Sequence, residues 1–166
     1  MKTLTIVRHA KSNWDDHSLS DKERPLNLRG KRDAPEMAER ITAAGIRPSL
    51  IISSPAVRAW STARAIARNL SYPLEFLQRE NALYLASLDR ILDIVCAQDA
   101  GFNNLMVVGH NPGLTDFANY LSPNLTDNLP TAGVVCVTFE QDDWSLYTQP
   151  KTELILYDYP KSKLKR

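Results

Sequence analysis

Two of the three histidines in this chain lie within short, punctuated motifs rich in arginine and proline. These are Arg8-His9-Ala10, Ser53-Ser54-Pro55-Ala56-Val57-Arg58 and Gly109-His110-Asn111-Pro112. An imidazole has an unperturbed pKa of about 6.5, so its neutral form is available as a nucleophile near pH 7. Arg8 and Arg58 carry planar guanidinium forks that match phosphate oxygens. Helix N-termini expected near Ser54 and Pro112 add free N–H groups suited to an anion. One histidine attacking phosphorus, with cations on the equatorial oxygens, needs no metal ion. Taken singly, each histidine reads as a satisfied structural residue and Arg58 as a solvated charge. Their joint placement is the informative feature.

The placement follows from the elements around them. Short apolar runs alternate with longer periodic ones, the pattern of layered α/β proteins. Residues 3–7, 50–52 and 105–108 read as buried strands, and each motif begins where one of these strands ends. In such sheets ligands bind beyond the carboxyl ends of the strands. A weaker strand is expected at 74–77 and another at 133–139. An antiparallel edge strand is expected at 144–148. Helices are expected from Gly30 to Gly45, with Pro35 tolerable only in the first turn, and from Ser87, which serves as a cap. Two more begin at Pro55, with Ser as cap, and at Pro112. Residues 11–29 form a long polar connection. The expected architecture is a three-layer α/β/α sandwich with a mostly parallel sheet and an antiparallel edge strand.

Composition bounds the partners. The 166 residues are 43% hydrophobic and 23% charged, which excludes a disordered chain. The net charge of +1 lacks the basic excess of a nucleic-acid binder. No apolar run approaches the ~18 residues of a membrane span, and the N-terminal MKTLTIVRHA lacks the apolar core of a secretory signal. Cys96 and Cys136 read as buried free thiols, consistent with the cytoplasm. Two cysteines and three histidines argue against a zinc cluster. No metal or cofactor is expected. Residues 1–160 read as a single domain, and 161–166, four of them basic, as a solvated tail.

The three motifs, in this order, resemble those of the histidine phosphatase superfamily, the phosphoglycerate-mutase-like proteins. Arg8-His9-Ala10 is similar to the Arg-His-Gly signature, with Ala10 in place of glycine. Residues 53–63 resemble the second-arginine motif, and 109–112 the second-histidine motif. The resemblance implies that His9 is the nucleophile and carries a transient phosphoryl group. It implies that Arg8, Arg58 and His110 form the phosphate pocket. Many relatives with alcohol leaving groups use a carboxylic acid, for which Glu80 is the candidate here. The stretch 8–16, then Arg24-Pro25-Leu26-Asn27-Leu28-Arg29-Gly30, and Pro130-Thr131-Ala132-Gly133 before a strand resemble the compact SixA-type phosphohistidine phosphatases. Asp15 and Arg24 are further substrate-binding candidates; His17 reads as a loop residue. The implied activity is a metal-independent phosphatase acting on phosphohistidine in a protein. The alternatives are a phosphomonoesterase or mutase of small molecules, and a phosphate-binding adaptor with little turnover.

Overall fold

The computed structural model describes residues 1–162. The elements in chain order are β1 (Lys2–Arg8), α1 (Leu28–Ala43), β2 (Leu50–Ser53), α2 (Val57–Asn69), β3 (Gln78–Arg79), α3 (Leu88–Cys96), β4 (Asn104–Gly109), α4 (Gly113–Leu121), β5 (Val134–Phe139) and β6 (Glu153–Asp158), with short 3-10 turns between some of them. The strands form one sheet in the order β3-β2-β4-β1-β5-β6. Strands β1 to β4 run parallel, β5 runs against β1, and the edge strand β6 runs against β5. Because successive strand side chains point to opposite faces, the central strands β1, β2, β4 and β5 each feed two cores. Leu4, Ile6, Ile52, Leu105 and Val107 pack with α3 and α4. Val7, Ile51, Met106 and Val108 pack with α1 and α2. The result is the expected α/β/α sandwich. No described helix is long and apolar enough to cross a membrane.

The local departures have physical causes. Helix α1 starts two residues before Gly30, because Asn27 caps it: its side chain accepts from the Gly30 N–H at 2.8 Å. Pro35 therefore lies inside the helix, not in its first turn, and the helix continues past it on the buried face of Ala34, Met37, Ala38 and Ile41. Helix α2 starts at Val57 and not at Pro55, and Ala56, which offers no side-chain cap, precedes it. The run 74–77 is not a strand: Leu74–Phe76 form a 3-10 turn, and β3 is only Gln78–Arg79. Residues 144–148 are not the edge strand either. Trp144 is fully buried against Phe139, and its indole N–H donates to Phe102 O at 3.0 Å. A large aromatic with a polar handle is worth more as a plug there than as one face of an edge. The edge is formed later, by β6. Cys136 is buried as expected, but Cys96 is only half-buried; both are free. Of the expected basic tail, residues 163–166 lie outside the described residues.

One glycine ties the first helix to the site. A Cβ on Gly30 would stand 2.1 Å from the Lys11 carbonyl oxygen, which is backbone and cannot rotate away. Gly30→Ala is expected to cost about 1–3 kcal/mol through this overlap, seen as a lower Tm. An unchanged Tm would show that the 11–29 connection yields freely.

Candidate active site

Strand pairing brings the three motifs together. Arg8 lies opposite Gly109, and Ser53 opposite Val108, so His9, Ser54 and His110 leave three adjacent strands at the same end of the sheet. There a cavity of about 140 Å³ is lined by Arg8, His9, Lys11, Ser12, Trp14, Arg24, Arg58, Leu85, His110, Asn111 and Thr131. Four of these residues are cationic, and none of them is acidic. A nearly neutral chain thus concentrates positive charge at one point.

The two imidazoles have different partners. His9 Nδ1 is 2.7 Å from the Ala10 carbonyl, which can only accept, so Nδ1 carries the hydrogen. The Nε2 lone pair is left for attack. Burial first, then the charges of Arg58, Arg8 and Arg24, press the His9 pKa down to about 4 against the opposing Ala10 bond. His110 Nε2 lies 2.7 Å from Ser54 Oγ. Ser54 Oγ also accepts from the Ala56 N–H at 3.2 Å, and its second lone pair and its own hydrogen both suit a bond with Nε2. The other ring nitrogen, Nδ1, is buried with no partner among the described residues. Burial, then His9 and Arg58, hold the His110 pKa near 3. His110 is therefore a neutral imidazole in the free site.

The arginines are anchored through one edge each. Arg8 donates from a terminal nitrogen to Leu129 O at 2.9 Å. Arg58 donates to the Asp21 carbonyl at 2.7 Å and to its carboxylate at 3.0 Å. The Nε–H groups of both arginines are buried and unpartnered among the described residues. With His110 Nδ1 they make three buried, unpartnered nitrogens on residues around one cavity. Arg24 joins the site through Ser12 Oγ at 2.6 Å and Asp21 at 3.0 Å. Ala10 is not at positive φ and is fully buried, which explains why alanine serves in place of the signature glycine.

Five of the seven residues singled out in the sequence converge: Arg8, His9, Arg24, Arg58 and His110. Asp15 and Glu80 do not line the cavity. Asp15 is exposed, and its backbone N–H donates to Asn13 Oδ1. The Glu80 carboxylate accepts from the Ala82 N–H at 3.2 Å, capping a 3-10 turn, and borders a separate groove along α3 with Asp89 and Asp93. Asp21 was missed. Its carboxylate bridges Arg24 and Arg58 and accepts from Tyr84 OH at 2.5 Å. Burial raises its pKa, but the Tyr84 and Arg58 bonds outweigh this and hold it at about 2. The available signal was its spacing three residues before Arg24. The Ser54 contact to His110 was missed for a similar reason: the serine reads as a helix cap.

A family model described as the histidine phosphatase superfamily (branch 1) matches residues 4–81. The fold agrees over nearly the whole chain: SixA from Agrobacterium tumefaciens aligns at 25% identity with a TM-score of 0.82, covering 96% of this chain and 98% of that one. In its N-terminal half and in its fold the chain is similar to histidine phosphatases. A SixA complexed with tungstate shares the fold at 21% identity and a TM-score of 0.78, over 95% of this chain and 96% of that one. An uncharacterized chloroplastic protein of Arabidopsis thaliana is 29% identical over 134 residues, 73% of this chain. The match spans 59% of that relative's length.

The depressed histidines set the acid stability of this chain. Between the unfolded value of about 6.5 and the folded values of about 4 and 3, the unfolded chain binds protons that the fold refuses. Stability is therefore fully present above about pH 6.5 and is lost as pH falls towards 4. Denaturant midpoints should decline over that window, and less steeply in His110→Gln. Equal slopes for both proteins would contradict the burial of a neutral His110.

Proposed function

We propose that this chain is a metal-independent phosphatase working through a phosphoryl group on His9, with phosphohistidine in a protein as the preferred substrate. His9 Nε2 attacks phosphorus. The P–Nε2 bond forms as the bond to the leaving group breaks, and the leaving atom keeps the electron pair. Water then attacks the phosphoryl group, giving inorganic phosphate and restoring the lone pair on Nε2. Arg8, Arg58, Arg24 and His110 face the phosphoryl oxygens, where charge is spread in a loose transition state. Nothing in this scheme needs a resident cofactor.

The observation that carries the choice of substrate is the acid-free cavity. None of its lining residues among those described is Asp or Glu. Asp21, the carboxylate bound to Arg24 and Arg58, is ionised well below neutral pH and has no proton to give. An alkoxide leaving group needs a positioned acid. A ring nitrogen of phosphohistidine, once its ring is protonated, leaves as neutral imidazole and needs none. The fold supports the same reading through its likeness to SixA structures.

The test is a parallel assay of a phosphohistidine protein, a phosphoserine peptide, sugar phosphates and nucleotides. The expected result is a kcat/KM for phosphohistidine at least about a hundredfold above the alkyl esters, the range that general acid catalysis supplies. Equal rates on alkyl esters, lowered by Glu80→Gln, would instead support the small-molecule phosphatase. Tight phosphate binding without release would support the adaptor.

A further inference from the structure

We propose that Trp14 and Leu85 form a leaving-group subsite, a flat apolar platform at the mouth of the cavity that takes a planar ring attached to the phosphoryl group. This deepens the reading above and rests on it for the phosphoryl end of the ligand.

The cavity is small, about 140 Å³, and its floor residues His9, Arg58 and His110 are buried. Only the phosphoryl group fits among those cations, so the rest of a substrate lies at the rim. The rim carries two of the most exposed apolar side chains of the protein, Trp14 at 64% and Leu85 at 55%, from two separate loops. Trp144 and Trp60 show the ordinary fate of this residue type, since the first is fully buried and the second partly packed against α1 and α2 residues. Trp14 has no such burial.

Its orientation is nevertheless fixed. The Arg24 guanidinium carbon lies 3.3 Å from the Trp14 ring centroid, a stacked cation–π contact. Arg24 is itself held by Ser12 and Asp21. One indole face is thus covered by a rigid plane, and the exposure belongs to the other. Leu85 sits at φ +50°, an uncommon conformation for a residue with a side chain. The bonds from Tyr84 N–H to Asn81 O and from Ala86 N–H to Leu83 O hold the chain on either side of it. Two loops therefore spend order, and one spends backbone strain, to keep apolar groups in solvent at a phosphate-sized hole. A flat ring bonded to phosphorus would cover both. The imidazole of phosphohistidine and the phenol ring of an aryl phosphate share this shape.

The test separates the platform from the chemistry. Phenylphosphonate and methylphosphonate, which cannot be hydrolysed, are titrated calorimetrically into the wild type, Trp14→Ala and Trp14→Phe. The wild type should bind phenylphosphonate about tenfold more tightly than methylphosphonate. Trp14→Ala should bring the two within about twofold while leaving methylphosphonate unchanged, and Trp14→Phe should keep most of the preference. An undiminished preference in Trp14→Ala would overturn the platform. So would an equal loss for both ligands, because Trp14 would then act only by positioning Arg24. Turnover of N-phosphohistidine, phenyl phosphate and ring-free phosphoramidate distinguishes the two ring sources, since the true one loses kcat/KM in Trp14→Ala and phosphoramidate does not. If no phosphate is turned over, the catalytic reading fails, while the phosphonate ratio still decides the subsite.

Discussion

Replacing His9 by alanine should lower kcat by at least about a thousandfold on phosphohistidine and on activated phosphate esters alike, the scale seen when a nucleophile is removed. The reason lies in the hydrogen bond that orients the ring. Nδ1–H is committed to the Ala10 carbonyl, so Nε2 is the only lone pair presented to phosphorus. The other imidazole among the described lining residues, His110, has its Nε2 engaged with Ser54 Oγ. The same geometry fixes the pH profile. With the free-enzyme pKa at about 4, His9 is unprotonated throughout the neutral range. The acid limb of kcat/KM assigned to His9 should therefore fall near pH 4 and not near 6.5. A variant that folds normally by circular dichroism and keeps its rate would remove His9 from the mechanism.

Arg58→Ala should cost about a hundred- to a thousandfold in kcat/KM, the usual effect of deleting a preorganised charge stabiliser. Arg58 is almost fully buried, held on two nitrogens by Asp21, and retains a free Nε–H. Lysine offers a point charge without the fork, so Arg58→Lys should recover little of the loss. The substitution also strips Asp21 of a partner that holds its pKa down. Its carboxyl should titrate at a higher pH in the variant, measurable by NMR. A loss of less than tenfold in Arg58→Ala would show that the phosphoryl group does not rest on this guanidinium.

The site was legible because the sheet does the positioning. Arg8-His9 and Gly109-His110 follow strands of strong apolar character, and parallel neighbours in register must bring their ends together. Elements with clear periodicity, such as α3 after its Ser87 cap, were equally readable. What stayed hidden depends on contacts across long stretches of chain. Trp144 sits where Phe102, 42 residues away, accepts its N–H. Asp21 matters because Arg58, 37 residues on, reaches back to it. Glu80 looked like an acid because it is the carboxylate next in line, yet its local bond to Ala82 aims it at a turn. Such side-chain closures leave no period in the sequence.

The most direct test of the central claim is to trap the phosphoryl group. The enzyme is mixed with radiolabelled phosphohistidine protein, quenched in base within its first turnovers, and digested for peptide mapping. The predicted result is label on the peptide containing His9, stable in base, lost in acid, and absent from His9→Ala. Turnover without label on His9, or stable label on another residue, would contradict it.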